Sequence, residues 1–138
     1  MTWLASRRGV AILSALALMA FLARSWLDWG FVYPEFVPET DRASITISLA
    51  FYLAVTGAWL WALSASARDS RRGLWALFGL ALLLVVGGVA TPVALCAFPC
   101  QTAWPLMEVS NWSGLVLGIL AGASAWLRLR QPAGAPAG

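Results

Sequence analysis

Cys96 and Cys100 are the only two thiols in the chain, and they are separated by three residues, Ala97-Phe98-Pro99. Three chemistries fit the pair. A structural disulfide would close a small loop bent at Pro99, provided the Cα atoms approach closely enough. A redox-active pair would exchange disulfides outside the reducing cytosol. Thiol oxidoreductases ordinarily space their cysteines C-x-x-C, however, and quinone-linked four-helix examples use a second pair to pass electrons on. A metal or metalloid site would need further donors, since two thiolates do not complete a tetrahedral zinc shell. A soft ion, or a site shared between two copies, would suit that reading.

Three other features bear on chemistry or assembly. Glu108 stands beside an apolar segment, where a carboxylate at membrane depth would be costly and functional. A helix that starts later, capped by Ser110 or Asn111, leaves Glu108 in a watery loop, and the sequence favours that arrangement. Arg24 and Asp28 are spaced to pair across one helical turn, with Arg24 also able to snorkel to headgroups; this pair needs no functional role. Gly114, Gly118 and Gly122 repeat every four residues, a face that lets another helix approach closely. That helix belongs to this chain or to an oligomeric partner.

The missing residues exclude more. There is no histidine and no lysine; all nine basic residues are arginine. This removes imidazole triads, His-ligated haem, copper or zinc, Schiff-base chemistry and the P-loop lysine. No catalytic set can be assigned, and the expectation is a non-enzymatic chain. The net charge of +3 does not indicate nucleic-acid binding, because the arginines are not interleaved with aromatics on one face.

The elements that must position these residues are dictated by composition. Of 138 residues, 61% are hydrophobic and only 11% charged, less than half the charge of a soluble domain. Four segments, about 9–27, 44–66, 74–95 and 104–127, are long and apolar enough to cross a bilayer. In lipid they must be helical, since each backbone group has to find its partner internally. The predicted fold is an all-α integral membrane protein, a single four-transmembrane-helix bundle over 1–130 with a flexible Pro/Ala/Gly tail, 131–138. The first segment also has the outline of a signal peptide. It is read as a retained span, because a three-span product would put its two ends on opposite sides.

Charge sets the predicted orientation. Arg7, Arg8, Arg68, Arg71, Arg72, Arg128 and Arg130 fall on one side with Asp69, a net +6. Arg24 and Arg42 fall on the other with Asp28, Glu35, Glu39, Asp41 and Glu108, a net −3. The positive-inside rule then places both termini in the cytoplasm of a bacterial inner-membrane protein and the cysteines outside. The nine tryptophans cluster near segment ends, as interfacial indoles do: Trp26, Trp29, Trp104 and Trp112 outside, Trp3, Trp59, Trp61, Trp75 and Trp126 inside. An aromatic, acidic loop from Trp29 to Asp41 is expected to lie along the outer leaflet. Pro92 removes the N–H that would bond Gly88 and is expected to bend the third helix, with a neighbour, Thr91 or water meeting the freed carbonyl.

Away from their ends the spans carry no acid and no base, which argues against a proton-coupled transporter or ion pump. The leading expectation is a small accessory or scaffold subunit of a larger membrane complex, such as a respiratory or photosynthetic one. It would pack against other membrane subunits or a second copy of itself. Its ligands would be bilayer lipid or an apolar pigment. A thiol–disulfide oxidoreductase using Cys96 and Cys100, and a small oligomeric transporter of a neutral solute, are the alternatives.

Overall fold

A computed structural model describes residues 3–32, 42–95 and 104–131. Helix α1 spans Arg7–Leu27, α2 Arg42–Ala67, α3 Arg71–Leu95 and α4 Trp104–Leu129. A π-helical turn, Asp28–Val32, extends α1. No strand occurs among the described residues. Each of the four helices is long and apolar enough to cross a membrane, as a multi-pass membrane protein requires. Cys96 and Cys100, the loop from Tyr33 to Asp41 and the tail after Gln131 lie outside the described residues.

Local signals explain the helix ends. Ser6 caps α1, its Oγ accepting the Gly9 N–H at 3.0 Å. Arg68 and Asp69 form the turn between α2 and α3, with Asp69 in the left-handed region at φ 56°. Asp tolerates that conformation better than most side chains do. The turn is tight: a Cβ on Gly73 would fall 2.6 Å from the Ser66 backbone nitrogen. Helix α4 starts at Trp104, earlier than the start favoured from sequence. Ser110 and Asn111 are therefore interior residues and not caps, and Glu108 sits on the second turn of the helix, exposed.

The helices form a ring. Helices α3 and α4 share the most extensive contact, followed by α1 with α4, α2 with α3, and α1 with α2, while α1 and α3 barely touch. Each helix thus packs mainly on two neighbours. Small residues line the inside: Ala17, Ala62, Ala125 and Ser124 are fully buried, and Ala81 and Ala121 nearly so. In lipid the gain comes from dispersion between close backbones, not from removing apolar surface from water. The glycine repeat is part of this packing. A Cβ on Gly118 would lie 3.0 Å from Val85 Cγ2 and 3.3 Å from the Ala81 carbonyl, and Gly114 and Gly122 face Leu84 and Ala81. The partner of this face is α3 of the same chain.

The two ends of the bundle differ in charge. At one end, Asp69 forms ion pairs with Arg7 and, at 3.4 Å, with Arg128. Arg71 donates to the Leu129 carbonyl at 3.3 Å, and the Arg130 guanidinium lies 4.7 Å over the Trp126 ring. This arginine end ties the start of α1, the α2–α3 turn and the end of α4 together. The opposite, far end holds Arg24, Asp28 and Glu108.

Candidate functional site

A cavity of about 280 Å³ opens in the far half of the bundle, and all four helices contribute to its wall. Helix α1 supplies Phe21 and Arg24, with Asp28 at its end; α2 supplies Phe51, Tyr52 and Trp59. The Gly87–Gly88 pair of α3 and Ser110 and Asn111 of α4 complete the wall.

Three polar interactions organise the wall. Arg24 and Asp28 pair as their spacing predicts, Nη2 to Oδ1 at 2.9 Å, but with side chains only 17% and 15% exposed. Arg24 therefore does not snorkel outward. The hydroxyl of Tyr52 on α2 donates to the other Asp28 oxygen at 2.7 Å. Both carboxylate oxygens are thus engaged, which is how a half-buried charge becomes tolerable. The third interaction is local to α3 and α4. Pro92 has no N–H to give to the Gly88 carbonyl, and the Asn111 side-chain amide donates there instead at 2.8 Å. A Cβ on Gly88 would lie 3.4 Å from Leu115 Cβ and 3.7 Å from the Asn111 carbonyl, so its glycine keeps α3 and α4 close at that point.

Four buried side-chain polar atoms among the described residues have no hydrogen-bond partner: Ser14 Oγ, Arg24 Nη1, Trp59 Nε1 and Ser110 Oγ. Three of them belong to residues lining this cavity. Buried polar groups are normally satisfied, so this clustering calls for a cause. Trp59 is the sharpest case. It is 1% exposed and stacks on Phe21 at 6.4 Å, so it is a core residue and not the interfacial indole its position suggested. Phe21 and Tyr52, 5.5 Å apart, extend the aromatic wall.

The structure sorts the residues singled out from sequence. Gly114 lines the cavity, while Gly118 and Gly122 lie deeper along the α3–α4 seam. Glu108 is exposed and does not line the cavity. Among the described residues no group of three or more His, Cys, Asp or Glu side chains converges to hold a metal. Sequence reading treated Arg24, Asp28 and Trp59 as ordinary boundary residues. The signal that could have found them was the pairing of two ionisable groups one turn from a span's end, with Tyr52 on the next helix to receive them. No protein-family model, curated protein or solved structure matches the chain.

Proposed function

We propose that this protein holds a lipid-soluble small molecule within the bilayer, in the far-end cavity, as a non-enzymatic subunit of a larger membrane assembly. One observation carries the reading. A cavity in an apolar bundle is lined by a half-buried, neutralised ion pair, and three of its lining residues carry a buried polar atom without a partner. Ionisable groups at membrane depth mark functional sites by default. A few convergent polar groups in a mostly apolar wall is the usual composition of a ligand pocket.

Access supports the same reading. The exposed members of the wall, Phe51 on α2 and Leu83, Val86 and Gly87 on α3, all lie along the α2–α3 seam. In a membrane that seam faces the acyl chains, so a lipid-soluble ligand could enter sideways without crossing water. The concentration of arginine at the opposite end argues for that end in the cytoplasm and the cavity near the outer leaflet.

Gentle extraction in native-lipid nanodiscs, followed by mass spectrometry of all co-travelling proteins and small molecules, tests the proposal. The expected result is a stoichiometric apolar small molecule together with partner subunits. A chain recovered alone and empty would overturn it.

A further inference from the structure

Independently of the far-end cavity, we infer that the arginine end carries a second site, which holds the phosphate of an anionic phospholipid from the leaflet it meets. A pocket of about 240 Å³ lies at this end, built from the start of α1, the end of α2, the turn that follows it and the end of α4. Its charged wall is Arg7, Arg8, Arg128 and Asp69, a net +2. The rest is largely apolar, with Val10 and Leu74 buried and Ala11 and Ala67 exposed. Two helices begin and two end here, so their macrodipoles offset one another and the side chains set the field.

Internal pairing does not use up this charge. Asp69 pairs with Arg7 and Arg128, and Arg128 also donates to Gln131 Oε1 at 2.6 Å. Arg128 is thereby held in place, while Arg7 stays half exposed with further N–H donors beyond the one turned to Asp69. Arg8 is exposed and has no ion pair or hydrogen bond among the described residues. These open guanidinium forks match pairs of phosphate oxygens. Basic pockets between membrane helices take anionic headgroups in the same way. The apolar part of the wall favours a lipid over a free anion, since only a lipid brings hydrocarbon to Ala11 and Ala67 along with its charge. Arg68 and Arg72 are also exposed at this end but do not line the pocket, and so provide a control.

The test uses the full chain in uncharged detergent micelles, with bound lipid followed by native mass spectrometry. The probes are dioleoylphosphatidylglycerol, zwitterionic dioleoylphosphatidylcholine and inorganic phosphate. Phosphatidylglycerol should bind saturably and several-fold more tightly than either comparison probe. Arg8→Gln should weaken that binding roughly tenfold by removing a charge-assisted contact. Arg72→Gln removes the same charge outside the pocket and should weaken it by less than about twofold. Asp69→Asn removes the carboxylate that competes for Arg7 and Arg128, and should tighten binding several-fold. Asn also accepts the left-handed backbone of that position. Unfolding midpoints matched to the parent establish that each variant is folded. Equal losses in Arg8→Gln and Arg72→Gln would reduce the effect to the general charge of this end and overturn the inference. Phosphatidylcholine bound as tightly as phosphatidylglycerol would overturn it too, as would unchanged or weaker binding in folded Asp69→Asn. Inorganic phosphate bound as tightly as the lipid would show an anion site without a lipid and sink the assignment.

Discussion

At the scale of single residues, the far-end network makes separable predictions. Asp28→Asn leaves the half-buried Arg24 guanidinium without its counter-charge and should cost about 1–3 kcal/mol, read from unfolding in mixed micelles. Replacing both partners with apolar residues, Arg24→Met with Asp28→Leu, should recover most of that loss, since removing a buried pair is far milder than breaking it. Asn111→Leu should cost about 1–2 kcal/mol by stranding the Gly88 carbonyl. Adding Pro92→Ala should restore part of it by returning a backbone N–H to the same oxygen. A double-mutant cycle with no coupling between positions 92 and 111 would refute that account. The sequence already contained half of this chemistry. The Arg24–Asp28 spacing and the missing Pro92 donor were both readable, because each follows from helix geometry within one segment. The partners Tyr52 and Asn111 were not, because only the packing of α2 and α4 selects them. Trp59 was misjudged for a related reason: proximity to a segment end does not say which face of the helix a side chain occupies.

At the scale of elements, helix boundaries were legible to within a few residues, since hydropathy and flanking arginines act along the chain. The favoured start of α4 was wrong because Ser110 and Asn111 have the composition of a cap yet serve inside the helix. The α3–α4 seam gives the clearest prediction at this scale. Gly118→Val should force the two helices apart and cost about 1–3 kcal/mol, because the nearest contact is already 3.0 Å from its would-be Cβ. Gly57→Ala on α2, where nothing lies within 4 Å, should be neutral or slightly stabilising. Equal losses at the two positions, measured by the same unfolding assay, would contradict the packing described. The cysteine loop gains nothing from this picture, since it lies beyond the described residues.

For the whole molecule, the separation of charge between the two ends predicts topology. A Ser70→Cys probe in the arginine-end turn, in a background with Cys96 and Cys100 changed to serine, should resist membrane-impermeant maleimide in intact cells and react in inverted vesicles. Reaction in intact cells would reverse the orientation and place the cavity on the opposite leaflet. The ring arrangement has one more consequence, which concerns time. Helix α1 is made first, yet its larger neighbour is α4, made last. While α2 and α3 are still being translated, the side of α1 destined for α4 has only lipid or the insertion machinery to lean on. At ~5–20 residues per second that vigil lasts several seconds. Ser14 and Ala17, both sealed in the finished protein, give α1 a small, smooth stretch that suits a segment that must wait without being captured by a stranger.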